Sequence, residues 1–262
     1  MGQVFLVGAG PGDPELLTVK AHRVLQRADV VLYDSLVGPE ILKIISPSAQ
    51  LIDVGKRAGK KLLSQDEINA LLISYARQYE NVVRLKGGDP LLFGRAAEEI
   101  RALREAGLDF DVVPGISAAF GAAAAAKVSL TDRLLASNVL FTTFSRAPEA
   151  PLLPPVGLSP ETSIVVYMPG TDYGEVGRWL IESGLSPETA CLILSKVTLP
   201  DQSSLFTNIS ALESLQTLPA PSLLLVGRAF GHSASAHASM DATDRATLEN
   251  FSRTLISGTR IS

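Results

Sequence analysis

The residues best suited to chemistry lie in one run: Val83-Arg84-Leu85-Lys86-Gly87-Gly88-Asp89-Pro90-Leu91-Leu92-Phe93-Gly94-Arg95. An apolar strand runs straight into two glycines. A carboxylate, a proline and a buried-looking Phe93-Gly94-Arg95 turn follow. Consecutive glycines after a strand mean a backbone with φ > 0, or a partner that must approach closely. In α/β sheets, ligands gather at the carboxyl ends of strands. The run therefore predicts a ligand held on main chain. Arg95 and Glu98 lie one helical turn apart. By spacing alone they read as a surface helix pair.

A second glycine loop, Gly8-Ala9-Gly10-Pro11-Gly12, follows the first strand. Asp34 ends the second strand about 22 residues later, where a dinucleotide fold places its ribose acid. Read so, the chemistry is hydride transfer with a nicotinamide cofactor. Asp13 stands against this, since an acid there repels a pyrophosphate. Pro11 and Pro14 also remove N–H groups that would cradle one. The loop still reads as one that a ligand approaches, but that ligand should not be a polyphosphate.

The elements that must position these residues alternate. Strands are expected at 3–7, 29–33, 50–54, 82–85 and 110–113. Helices are expected at 15–27, 39–46, 65–78, 95–106 and 118–126, with Ser64 capping the third and Ser117 opening the fifth. Such alternation predicts an α/β fold with a mostly parallel sheet. Further strands are expected at 138–142, 163–167, 190–194, 203–206 and 222–226, with helices at 174–183 and 208–216. The expected organisation is an N-terminal domain of residues 1–116 with a parallel sheet, a C-terminal domain of residues 117–230 with a mixed sheet, and a peripheral tail of residues 231–262. Pro148 to Pro160 reads as an exposed loop.

The 262 residues suffice for two modest domains. Hydrophobic residues make up 46% and charged residues 19%, an ordinary soluble composition. A net charge of −4 argues against a broad nucleic-acid surface. A single cysteine, Cys191, excludes a disulfide framework, and the scattered His22, His232 and His237 argue against a structural zinc. No apolar run approaches the length of a membrane span, and no signal peptide is seen, so the cytoplasm is expected.

Five segments in order carry a resemblance: Val7 to Pro14, Tyr33 to Val37, Val54 to Gly59, Val83 to Arg95, and Val113 to Ala118. Together they resemble the uroporphyrinogen-III C-methyltransferases of the tetrapyrrole (precorrin) methyltransferase family. The likeness covers roughly residues 3–230. It implies two α/β domains with the active site in the cleft between them, and a homodimer. It implies S-adenosylmethionine as methyl donor, with S-adenosylhomocysteine as its product. The reaction would be two methyl transfers to rings A and B of uroporphyrinogen III. That gives precorrin-2, on the way to sirohaem, cobalamin or haem d1.

By the same resemblance, cofactor contacts fall on Pro11, Gly87, Gly88, Asp89, Leu92, Ser117, Ala118, Met168 and Val197. The acid/base pair falls on Asp34 and Lys56. Arg95 and Arg133 would meet the substrate's carboxylates, with Glu98 as an acidic partner. Methyl transfer from a sulfonium is an in-line displacement that needs alignment and a dry site, not a metal. The chain departs from the family at Lys60 to Gln65, at Asp132, at Phe144-Ser145, at Pro169 and at Ser195 to Thr198. Val197 replaces a usual glycine and would crowd backbone that the cofactor approaches. Asp132 would repel a carboxylate. Three alternatives stay open: another tetrapyrrole intermediate as substrate, a low-activity binding paralogue, and an NAD(P)-dependent oxidoreductase.

Overall fold

A computed structural model of the chain describes residues 2–55, 63–145 and 157–231. Residues 56–62, with Lys56, Arg57, Lys60 and Lys61 among them, most of the proline-dense segment and the tail beyond Gly231 lie outside the described residues. The chain divides into two compact units. The first comprises Met1–Ala126 with two returning segments, Leu194–Ser203 and Leu218–Ser222. The second takes Lys127–Ile193, Ser204–Thr217 and the chain from Leu223 onward.

The first unit holds five strands: β1 (Gln3–Gly8), β2 (Val30–Tyr33), β3 (Gln50–Asp53), β4 (Asn81–Lys86) and β5 (Phe110–Val113). They pair in parallel in the order β3-β2-β4-β1-β5. Its helices are α1 (Val19–Leu25), α2 (Pro39–Leu42), α3 (Gln65–Ala76), α4 (Ala96–Glu105) and α5 (Ala118–Ala125). Successive strand residues face opposite sides, which builds two cores. Val4, Leu6, Val30, Leu32 and Val82 pack with Ile68 and Leu72 of α3 and Leu103 of α4. Val7, Val31, Val83, Leu85 and Val113 pack with Ala21 and Leu25 of α1 and Ile41 of α2. Each fully buried Leu or Val contributes about 1.5–3 kcal/mol. The sheet is therefore held from both faces, and its strand ends are rigid supports.

Helix α3 starts with a complete capping box. Ser64 Oγ accepts the Glu67 N–H at 3.2 Å, while Glu67 Oε2 accepts the Ser64 N–H at 2.7 Å. Two helices are shorter than their apolar spacing predicts. The 15–27 stretch becomes a 3-10 turn at Pro14–Leu16, and α1 begins afresh at Val19 because Thr18 Oγ1 caps Ala21. Helix α2 ends at Leu42, and the chain tightens into single turns, Ile44 N–H to Ile41 O at 3.1 Å and Ile45 N–H to Leu42 O at 3.3 Å.

In the second unit's sheet, β6 (Asn138–Thr143), β7 (Thr162–Tyr167), β8 (Ala190–Ser195), β9 (Ser203–Asn208) and β10 (Ser222–Val226) take the order β6-β7-β10-β8-β9. Strand β7 runs parallel to β6 and antiparallel to β10, so the sheet is mixed. Helix α6 (Tyr173–Glu182) is capped by Asp172 and buries Trp179, whose ring meets Phe144 edge-on at 5.6 Å. The helix expected over 208–216 is only a 3-10 turn, Leu212–Ser214. Strand β9 runs on to Asn208, and the Asn208 side chain accepts the Ala211 N–H, which leaves too few residues for a helix. Among the described residues no helix is long and apolar enough to cross a membrane.

Candidate active site

The carboxyl ends of β1, β4 and β5 meet as bare main chain. A Cβ on Gly115 would lie 2.3 Å from the Gly88 carbonyl oxygen and 2.8 Å from Gly8 Cα. Glycine at Gly8 and Gly115 is therefore a packing requirement of three adjacent strand ends. Gly88 itself has φ of 67°, the left-handed region that glycine tolerates. Gly88 and Gly10 exchange hydrogen bonds, Gly88 N–H to Gly10 O at 2.7 Å and Gly10 N–H to Gly88 O at 3.2 Å. This ties the two glycine loops together. A Cβ on Gly88 would meet only ordinary van der Waals contacts at the start of α5, Ala118 N at 3.8 Å and Ser117 Cα at 4.0 Å.

Asp89 holds the shape of this cradle. Its Oδ1 accepts the Leu91 N–H at 2.8 Å and its Oδ2 accepts the Gly115 N–H at 3.0 Å. Beyond it, Leu92 is half-buried, and Phe93 and Arg95 both take left-handed φ, 54° and 57°. Phe93 is exposed, contrary to the buried turn that the sequence suggested, because the left-handed pair turns the chain outward into α4. Further along α5, the Pro11 ring and Val197 both press against Gly121. A Cβ there would lie 2.9 Å from Pro11 Cγ and 3.2 Å from Val197 Cγ1. The first unit thus brings Pro11, Gly87, Gly88, Asp89, Leu92, Ser117, Ala118 and Val197 onto the strand ends and the adjoining start of α5.

Asp34 follows β2. Arg84, buried in the middle of β4, donates from Nη1 and Nη2 to Asp34 Oδ1 at 3.2 and 3.3 Å. Arg84 Nε also donates to Glu99 Oε1 at 2.8 Å, and Lys86 Nζ donates to the same oxygen at 2.9 Å. Gln65 Nε2 is a third donor there, at 3.3 Å. Arg84 and Lys86 are 4% and 2% exposed, and Glu99 is 0% exposed. Burial first, and the Arg84 guanidinium second, hold the Lys86 amine below the usual lysine range, while Glu99 and Asp34 oppose that fall. Lys86 also packs under the turn before α4, since its Cε would lie 3.2 Å from a Cβ on Gly94.

Arg95 and Glu98 form a two-pronged pair, Nε to Oε1 at 2.8 Å and Nη2 to Oε2 at 2.7 Å. This hydrogen bonding holds the Glu98 carboxyl below the ordinary range and raises the Arg95 guanidinium. Both side chains are well exposed. Arg133 and Met168 belong to the second unit. Arg133 is exposed. Asp132 beside it spends Oδ1 on the Leu134 and Leu135 N–H groups, at 2.8 and 3.0 Å, as the cap of a turn. Met168 ends β7 in a left-handed conformation, φ 47°, and is 43% exposed.

The sheet order bears on the dinucleotide fingerprint. In a dinucleotide fold the glycine strand and the acid strand are neighbours. Here β4 stands between β1 and β2, which puts those strands about 10 Å apart. Asp34 is also engaged by Arg84. A family profile of tetrapyrrole (corrin/porphyrin) methylases matches residues 3–213. The chain belongs to the tetrapyrrole methylases.

This methylase is 44% identical to the uroporphyrinogen-III C-methyltransferase of Paracoccus denitrificans over 232 residues, 87% of the chain and 81% of that protein. It is 44% identical to the siroheme synthase of Zymomonas mobilis over 88% of the chain. The chain spans about half the length of the siroheme synthases it matches. Among solved structures, the uroporphyrin III C-methyl transferase of Thermus thermophilus superposes with a TM-score of 0.77 at 35% identity, over 87% of this chain and 98% of that one. The same enzyme complexed with S-adenosylhomocysteine gives 0.77 at 34% identity, over 88% and 94%.

Sequence reasoning passed over Arg84, Lys86 and Glu99 of this methylase. A signal was present. Two cations stand two residues apart in Val82-Val83-Arg84-Leu85-Lys86, a strand otherwise apolar on both faces. Cations so placed must be buried together, and a buried pair of like charge needs an acid. Glu99, in the following helix, is that acid.

Proposed function

We propose that this methylase transfers methyl groups from S-adenosylmethionine to rings A and B of uroporphyrinogen III, giving precorrin-2 for sirohaem, cobalamin or haem d1 synthesis. The observation that carries this reading is the main-chain cradle at Gly88, left-handed in φ, hydrogen-bonded to Gly10 and uncrowded by side chains at the start of α5. It fits a donor that has an adenosyl group and an amino acid but no phosphate. Asp13 and Asp89 beside the loops would repel a polyphosphate, and Pro11 and Pro14 offer no N–H to one. Gly87, Gly88, Leu92, Ser117 and Ala118 would hold the donor, with Asp89 fixing the cradle; Met168 is a further proposed donor contact.

S-adenosylmethionine supplies an electrophilic methyl on a sulfonium. The chain's own residues must align the acceptor, exclude water and move a proton. An electron-rich pyrrole carbon attacks the methyl, a C–C bond forms as the C–S bond breaks, and the methylated ring then sheds a proton. Asp34 is the proposed base. Both Arg84 contacts fall on its Oδ1, and among the described residues Oδ2 faces no donor. Lys56 is the proposed acid partner. Arg95 and Arg133 would take the substrate's carboxylates. For Arg95 this means exchanging Glu98 for a substrate carboxylate, a swap between two acceptors of the same shape. The chain would act as a homodimer in the cytoplasm.

The test is turnover. The protein is incubated anaerobically with uroporphyrinogen III and methyl-labelled S-adenosylmethionine. Label in a dimethylated tetrapyrrole is expected, and none in that product overturns the reading. A monomeric mass by light scattering at micromolar concentration would overturn the dimer.

A further inference from the structure

The turn from Lys196 to Leu199 returns to the first unit and lies along the Pro11 loop. Two direct contacts and one shared neighbour join them. Thr198 Oγ1 accepts the Asp13 N–H at 3.0 Å. Val197 Cγ1 and the Pro11 ring close on the same spot of α5, at 3.2 and 2.9 Å from where a Gly121 Cβ would sit. Leu199 Cδ2 would lie 2.7 Å from a Cβ on Gly12. Pro11 and Pro14 have no N–H, so Asp13 carries a scarce main-chain donor of this loop, and it is spent on Thr198.

The turn is itself held in an uncommon shape. Lys196 and Thr198 both have left-handed φ, 51° and 63°, in residues that carry side chains. Such conformations cost of order 1–3 kcal/mol each and persist only where the surroundings enforce them. The bracing is visible. Lys196 N–H donates to Pro221 O at 2.8 Å, Thr198 N–H to Gln202 Oε1 at 2.7 Å and Leu199 N–H to Lys196 O at 3.0 Å, while Lys196 Nζ pairs with Asp201. A strained and multiply braced turn that ends on one loop is built to hold that loop.

We infer that the Lys196–Leu199 turn is a clamp that sets the affinity for the adenosyl donor, with Val197 and Thr198 as positioning residues acting through Pro11. The inference rests on the proposed donor site. Its physical basis is preorganisation: a loop already ordered costs less to bind against. It reverses the expectation that Val197 crowds the donor. Val197 is 5% exposed and packs against Gly121, on the same spot that the Pro11 ring covers. A stiff, β-branched residue there braces the loop where a glycine would leave it slack.

The test is isothermal titration of S-adenosylhomocysteine into the full chain and its T198V, T198S and V197G variants. Hydrogen exchange of the segment 9–17 is followed in parallel. T198V loses one hydrogen bond and is expected to weaken binding about 3- to 10-fold. T198S keeps the hydroxyl and should stay within about twofold of the parent. V197G should weaken binding and speed exchange in the segment. In turnover, T198V should raise the KM for the donor and leave kcat. Tighter binding by V197G, or unchanged affinity in T198V, overturns the clamp. Should V197G fail to fold, the T198V and T198S pair decides alone. A parent chain that binds no S-adenosylhomocysteine sinks the donor site itself, and the clamp with it.

Discussion

Replacing Glu99 by Gln keeps the shape of a fully buried side chain and removes its charge. Glu99 Oε1 receives Arg84 Nε at 2.8 Å and Lys86 Nζ at 2.9 Å. At an effective dielectric of about 20, each contact is worth about 6 kcal/mol before desolvation is counted. Most of that offsets the cost of burying three charges. In E99Q the offset vanishes while Arg84 and Lys86 stay buried beside each other. Stranding buried charge in this way costs about 3–5 kcal/mol. Lys86 supplies a second signature. Its folded pKa is already below the unfolded value of 10.5. Between those two values the unfolded chain binds the extra proton, so stability rises with pH through that window. Losing Glu99, which props the Lys86 pKa up, lowers the start of the window. The E99Q deficit should therefore be greatest at neutral pH and narrow as pH rises toward 10.5. Urea denaturation of parent and variant across this range measures it. The double variant E99Q/K86M should regain at least about 1 kcal/mol at neutral pH by removing the stranded cation. An E99Q deficit below about 1 kcal/mol, or one that does not shrink with alkalinity, would refute this account of the cluster.

Three further outcomes follow from the geometry. Gly115→Ala places a Cβ 2.3 Å from the Gly88 carbonyl, so it should lower the melting temperature and abolish S-adenosylhomocysteine binding measured by titration. Ser64→Ala breaks the capping box of α3 and should cost about 1 kcal/mol by chemical denaturation, with donor affinity unchanged. Cys191 is fully buried, and burial pushes its thiol pKa well up, so it should resist a thiol reagent in the native protein and react once denaturant is added.

Some of the site is written in short spans of sequence. A glycine pair that ends a strand needs no tertiary information to be recognised, because only a backbone reason explains it. Ser64 followed by Glu67 announces a helix start for the same local reason. The limits of α1 and α2 were harder to read. Apolar spacing continued past the points where the Thr18 cap restarts one helix and i-to-i−3 turns close the other, and local hydrogen bonding outweighs periodicity there. The charge cluster is hidden for another reason. Arg84 and Glu99 are ordinary surface residue types, and only the two-sided burial of β4 forces them to meet.

By itself the sequence determined the two kinds of strand, the glycine loops at their ends and the family to which they belong. Each of these depends on residues close together along the chain. Only the tertiary structure decided that β4 stands between β1 and β2, which separates the first glycine loop from Asp34. It alone decided that Asp34 leans on Arg84, that Asp89 spends its carboxylate on Gly115, and that Val197 and Pro11 close on the same glycine of α5. Those pairs lie tens to nearly two hundred positions apart. Their contacts come from strand order and from a returning segment, and neither is encoded in any local pattern.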